Sequence, residues 1–364
     1  MGNKIYFYPH SYLRDRQLDT IRRWPKDQVL NPELAEIRRG GQVTRERSLN
    51  KTLPISWKQK LPLINVKKRP KGLPKDAVVY VWGAVMSTGP FIVDLDNPYS
   101  LTGYNLRAMS IYKGILRRIL KSRRCVEIRC MSQACRETLR ILFGDEIYTK
   151  SSVHYPYMQQ YIHEVKDTGE NGCRFLFIGT QFEIKGGAAL LRAFKKVYDT
   201  EPSVHLDMIT HLPPEYHERA VSCPGITIYD ANFSRDEIFE KFMRNADVLV
   251  HPTYVESFGM VVLEALAHGL AIIATDVYAL REMVEDSLNG ILLRPPLSIW
   301  DGYIASEYYY KLATIKPYVA KTDTSLFEEN LAVAMLRFAQ DHKFRLSAQK
   351  ASLDIINRRF SVKQ

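Results

Sequence analysis

Apolar and polar positions follow two regimes along this chain. From residue 174 onward, short apolar runs alternate with amphipathic stretches. Residues 174–178, 204–209, 226–229, 247–250, 270–274 and 290–293 read as strands. Residues 188–198, 213–221, 234–244 and 258–268 read as helices, with a further short one around 280–285. Ser234 followed by Glu237 is a capping box for the third helix, and Gly269 closes the fourth. Such β–α repetition predicts a doubly wound parallel sheet.

The first half is less regular. Residues 5–8, 78–81, 91–94, 127–131 and 148–153 read as strands, and 14–24, 30–37, 104–124 and 133–143 as helices. Asn31 followed by Pro32 predicts the start of the second helix, and Ser132 that of the fourth. Within 104–124 the stripe Leu106, Met109, Tyr112, Leu116, Ile119 and Leu120 is flanked by cations. It suits a core-facing helix or an interfacial one on an anionic membrane. Between residues 40 and 75 the pattern fails: ten Lys or Arg stand against the single Glu46, with Trp57 among them. The predicted division is a first domain over 1–165, a second over 166–340, and a terminal helical segment over 341–364. Residues 297–325 form an aromatic-rich insertion in the second.

Composition narrows the reading. A length of 364 residues suits two domains. No apolar run reaches 18 residues and no signal-peptide core follows Met1, so the expectation is a cytoplasmic protein, at most peripheral on the inner face of a membrane. Five cysteines form neither CxxC pairs nor a regular framework, so zinc is not expected. Net charge is +11, and residues 1–165 alone hold 29 Lys or Arg against 14 Asp or Glu. A basic first half suits an anionic lipid surface or nucleic acid, and no nucleic-acid-binding signature accompanies it. No nucleic-acid partner is therefore expected.

The chemistry centres on Glu256-Ser-Phe-Gly-Met-Val-Val-Leu-Glu264. A strand leads into a polar loop from His251 to Glu256, and a helix then begins near Phe258. That order places a helix N-terminus at the carboxyl edge of a parallel sheet. The amides near Gly259 and Met260 suit a phosphate. A second loop, Gly179 to Gly186, follows the first strand of this domain and brings Lys185 to the same edge. A cation there neutralises charge on a departing diphosphate. After residues 91–94 comes Asp94-Leu-Asp96, a weak acidic motif. His10 and His251 are lesser candidates.

The two glutamates with Ser-Phe-Gly between them resemble the donor-site signature of retaining glycosyltransferases of family 4. Gly179-Thr-Gln-Phe-Glu-Ile-Lys185-Gly186 is similar to the family's Gly-Arg…Lys-Gly segment. The resemblance implies the GT-B architecture: α/β, with two Rossmann-like doubly wound parallel-sheet domains facing a central cleft. It implies a nucleoside-diphosphate sugar donor, a glycan or lipid-linked acceptor, and no metal or other cofactor. Glu256 would contact the transferred sugar and Glu264 the ribose. Gly179, Thr180, Lys185, Ser257, Phe258, Gly259 and Met260 would line the phosphates. Asp96 would stand where many members carry a histidine near the sugar, and the terminal helix would cross back to the first domain. Departures are visible: Thr180 replaces an arginine, Asp96 a histidine, Tyr278-Ala279 a Gly-Gly pair and Thr210-His211 a glycine-rich turn, and no glycine pair is evident near His10. They leave a rival reading, a degenerate binder of sugar nucleotide or glycan without transfer.

Overall fold

A computed structural model describes residues 4–8, 13–36, 62–165, 167, 169, 172–309 and 315–361. His10, Trp57 with most of the basic stretch, Tyr310 and Val362 lie outside the described residues. Two compact units divide the chain. Among the described residues, the first takes those up to Tyr157 together with Asp301–Ala305, and the second takes Met158–Trp300 and those from Ser306 on.

In the first unit, β1 (Ile5–Phe7), β3 (Val78–Trp82), β5 (Phe91–Leu95), β6 (Cys125–Cys130) and β7 (Ser151–Val153) form a parallel sheet. Its strands lie side by side in chain order, β1-β3-β5-β6-β7. A short parallel pair, β2 (Val66–Lys67) with β4 (Val85–Met86), accompanies it. The periodicity of 30–37 predicts a helix, but the chain forms only a 3₁₀ turn, Pro32–Glu36. Asn31 serves β1 instead of capping a helix. Its side chain accepts from Phe7 N at 3.0 Å and donates to Phe7 O at 2.8 Å, satisfying two buried backbone groups. Residues 148–153 also differ. Gly144, at φ 88°, ends one helix, and Asp145 and Glu146 open another, Asp145–Lys150, so the strand holds only 151–153. Acidic residues in a first turn are stabilised by the positive end of the helix dipole, which favours the restart. The helix Leu106–Lys121 is capped by Asn105, whose Oδ1 accepts from Ala108 N at 3.0 Å. Leu106, Met109, Leu116 and Leu120 are buried, so the flanked stripe is core.

The second unit holds β8 (Arg174–Ile178), β9 (His205–Ile209), β10 (Ile226–Tyr229), β11 (Val248–His251), β12 (Ala271–Thr275) and β13 (Gly290–Leu293). All pairs are parallel, in the order β10-β9-β8-β11-β12-β13. β8, β11 and β12 are apolar almost throughout because helices cover both faces. The order reverses between β8 and β11. At such a switch point the loops leaving neighbouring strands diverge, opening a crevice at the strands' carboxyl ends. Below it, Phe175, Phe177, Leu190, Phe194, Val248 and Ile273 belong to one buried core.

Two helices differ from the periodic reading. Residues 213–221 divide into a 3₁₀ turn, Pro214–Tyr216, and a short helix, His217–Val221. Arg235–Ile238 continues as one widened π turn, Phe239–Met243. The helix His342–Ile355 is tied to the second sheet. Ser352 Oγ donates to Leu270 O at 2.7 Å and Gln349 Nε2 to Asp247 O at 3.2 Å. Both carbonyls flank ends of β strands, and Asp247 O accepts from Ala271 N at 3.0 Å as well, so Gln349 adds a second bond to it.

Candidate functional site

The two loops at the switch point hold each other. β8 ends at Ile178, and Gly179 N continues the ladder to Ile209 O at 3.0 Å. The next residues coil tightly: Lys185 N donates to Gln181 O and Gly186 N to Glu183 O. This coil returns Lys185 over Gly179, where a side-chain Cβ would sit 3.1 Å from the Lys185 Cβ. Gly186 adopts φ 78°, and a Cβ there would meet Pro252 O at 2.0 Å. Only glycine permits both that backbone and that approach. From the other loop, Tyr254 N donates to Ile184 O at 3.0 Å, while Thr275 Oγ1 holds Thr253 O at 2.6 Å.

Lys185 and Glu256, 71 residues apart, meet at this junction. Lys185 Nζ lies 2.9 Å from Glu256 Oε2 and 3.0 Å from Val255 O. His251, at the end of β11 and 1% exposed, reaches the same carboxylate oxygen with Nε2 at 3.2 Å. Glu256 Oε1 accepts from Ser257 N at 3.0 Å. An ionised carboxylate only accepts, so His251 donates from Nε2. Its Nδ1 is left buried with no partner among the described residues.

The electrostatics follow from these contacts. Burial pushes the Glu256 carboxyl upward, but Lys185 and His251 outweigh it and hold the group well below the usual carboxylate range. Burial and the Lys185 charge push His251 below its ordinary value despite the carboxylate. The junction is thus an ammonium, a carboxylate and a neutral imidazole. An arriving anion can compete with Glu256 for Lys185, while Glu256 remains an acceptor for hydroxyls.

The helix Met260–Ala267 starts directly beyond. Gly259 precedes it at φ 93°, and a Cβ there would strike Leu280 Cδ2 at 2.5 Å. Phe258 is buried in the core, so it offers the site backbone only. Ser257 and Met260 are half-buried. Glu264, farther along the helix, is engaged by Arg235 Nε at 2.8 Å. Arg235 lies beside the capping box, which forms as predicted: Ser234 N donates to Glu237 Oε2 at 2.9 Å. Nothing in the periodicity signals its partnership with a glutamate 29 positions later. Thr180 is exposed on the Lys185 loop.

Trp300 was equally unmarked. Its Nε1 donates to Glu256 O at 2.7 Å, and its ring stacks on Tyr278 at 3.9 Å and 10°. Tyr278 stands where the resemblance expects glycine and keeps a left-handed backbone, φ 47°. That conformation costs a non-glycine residue roughly 1–2 kcal/mol. Burying a large apolar side chain contributes about 1.5–3 kcal/mol. The stack therefore offsets the strain, and the turn survives without glycine.

Asp96 belongs to the first unit, just past β5. Its carboxylate accepts from Asn97 N at 2.9 Å and from Tyr104 Oη at 3.1 Å. Burial raises it, against the pull of Asn97, Arg16 and Tyr104. The preceding Asp94 is buried and accepts from Tyr80 Oη at 2.6 Å and Arg16 Nη1 at 2.9 Å. Both Asp94 oxygens are thus engaged within the first unit.

A parallel sheet reversing at β8 and β11, with its polar centre at that reversal, defines a Rossmann-type α/β domain. Residues 172–301 match the family model for glycosyl transferases group 1. The chain is 34% identical over 142 residues to a phosphatidyl-myo-inositol mannosyltransferase of Mycobacterium tuberculosis, covering 37% of this chain and 38% of that protein. It is 31% identical over 131 residues to a D-inositol 3-phosphate glycosyltransferase of Paenarthrobacter aurescens, covering 36% of this chain and 26% of that one. The similarity thus spans well under half of either relative. Anabaena HepE, solved with UDP and glucose, superposes over 99% of this chain and 95% of its own at TM-score 0.60 and 13% identity. Sucrose-phosphate synthase from Thermosynechococcus elongatus superposes over 78% and 69% at TM-score 0.54 and 15% identity. The fold is that of the GT-B glycosyltransferases.

Proposed function

We propose that the chain is a retaining glycosyltransferase that moves a sugar from a nucleoside-diphosphate sugar to a glycan or lipid-linked acceptor. One observation carries the reading: Lys185 meets Glu256 at the switch point of the second sheet, just ahead of the helix that Gly259 opens. The bond between the anomeric carbon and the diphosphate breaks as the acceptor oxygen bonds on the same face. The acceptor proton leaves with the departing diphosphate. Lys185 turns from Glu256 toward that diphosphate, and the amides of Gly259 and Met260 share its charge. Thr180 adds a hydroxyl on the same loop. Glu256 orients sugar hydroxyls, and Glu264 takes the ribose beside Arg235. Asp96 accepts from a sugar hydroxyl. No residue is assigned as general base and no metal takes part.

Relatives named for inositol and phosphatidylinositol acceptors support a lipid-linked or polyol acceptor in glycolipid or cell-surface polysaccharide synthesis. The basic first half supports work at the inner face of a membrane, and no described helix is long and apolar enough to cross one.

A thermal-shift panel of UDP, GDP, ADP and CMP sugars, followed by turnover assays, tests the reading. One nucleotide series should raise the melting temperature. With that donor, Glu256→Gln should lose about 10²–10³-fold in turnover. Binding without turnover for wild type on any acceptor points to the degenerate binder, which the absent cation at Thr180 favours. No stabilisation by any nucleotide contradicts both.

A further inference from the structure

The helix Leu106–Lys121 in the first unit has two apolar faces, and only one is packed. Leu106, Met109, Leu116 and Leu120 are buried. On the other side Ile111 is 62% exposed and Ile115 47% exposed. Arg107, Ile111, Gly114, Ile115 and Arg118 stand at i−4, i, i+3, i+4 and i+7, which is one stripe of an α-helix. All five are exposed.

Two further features make the stripe a surface of a particular kind. Gly114 sits in the middle of the helix, where glycine is disfavoured. A Cβ there would meet nothing within 4 Å, so no close approach of the protein to itself requires it. The glycine leaves a shallow floor between the two isoleucines. The second feature is charge. Residues 104 to 124 carry seven Lys or Arg and no Asp or Glu. One of the seven, Lys121, pairs with Glu146 at 2.9 Å. The rest of this segment brings no carboxylate to oppose an anionic partner.

We propose that this face, Ile111 and Ile115 framed by Arg107 and Arg118, is where the protein rests on an anionic lipid surface. Branched apolar side chains enter the boundary between headgroups and acyl chains, while arginines on the same stripe reach the lipid phosphates. Charge selects this occupant. A second copy of the chain would set arginine against arginine across a two-fold interface. A nucleic acid would satisfy the arginines but leave two isoleucines against its phosphates. The face lies outside every residue assigned to transfer, and its test needs no sugar donor.

The full chain is mixed with phosphatidylglycerol vesicles and with phosphatidylcholine vesicles, and the sedimenting fraction is measured against salt. Wild type should bind the anionic vesicles and release as salt rises. Arg107→Glu with Arg118→Glu should weaken partitioning by at least about fivefold per reversed charge. Ile111→Ser with Ile115→Ser should weaken it at least about tenfold while shifting the melting temperature little, because both side chains are largely exposed. If both double variants bind vesicles as wild type does, the face is not the contact. The proposal also fails if wild type ignores anionic vesicles but is retained on DNA. It fails again if the isoleucine variant converts a dimer to a monomer in sedimentation velocity.

Discussion

Glu256 is a carboxylate that three donors hold ionised: Lys185, His251 and its neighbour's amide. Its folded-state value lies below the ordinary 4.5, so the pairing contributes stability above that pH. The contribution is lost as pH falls from 4.5 downward through the carboxylate range. Glu256→Gln should therefore lose stability at pH 7, because Lys185 remains in place without a counter-charge. Its stability should also fall less steeply than wild type below pH 4.5. Urea melts of both proteins at pH 7 and pH 4 check this. Parallel curves would mean that the carboxylate is not the group that titrates. His251 adds a condition, since it donates to Glu256 while keeping an unpartnered nitrogen buried. Unpaired buried polar groups are rare and concentrate where function needs them.

At the level of elements, two loops from adjacent parallel strands make the site only because backbone closes on backbone at Gly186. Alanine there would need a left-handed backbone and would place its Cβ inside Pro252 O. Gly186→Ala should cost at least about 2 kcal/mol. For a domain of this size that is a drop of roughly 4–8 °C in melting temperature. Nucleotide stabilisation should vanish with it, since the junction of Lys185 and Glu256 depends on the same approach. An unchanged melting temperature would show that the loops separate freely. The turn at Tyr278 makes the opposite point. Its left-handed backbone is kept without glycine because Trp300 stacks on it and also fixes the Glu256 carbonyl. A departure that reads in the sequence as a lost glycine is a repaired turn.

Over the whole molecule, legibility tracked locality. The second sheet was readable because strands buried on both faces are unbroken apolar runs and their connections are short. Lys185 and Glu256 were placed at one sheet edge by the β–α repetition together with the family resemblance, and the strand order sets the loops after the first and fourth strands at the sheet's reversal. Arg235 on Glu264, and Trp300 on the Glu256 backbone, were not readable. Each joins residues 29 or 44 positions apart through side-chain geometry that leaves no period. In the first unit Asn31 looked like a helix cap because Pro32 follows it, yet it satisfies the backbone of β1. The outward isoleucines escaped notice because the buried stripe on the same helix accounted for its amphipathic pattern.

The central claim is that Lys185 and Glu256 form a diphosphate site. Calorimetric titration of the best-binding nucleotide against wild type and a Lys185→Met, Glu256→Gln double variant tests it most directly. The double variant removes both charges and so leaves neither one unpaired in the protein. The account predicts that nucleoside-diphosphate affinity falls at least about tenfold, the value of one charge-assisted contact, while the parent nucleoside binds both proteins alike. Equal diphosphate affinity for the two proteins would contradict it.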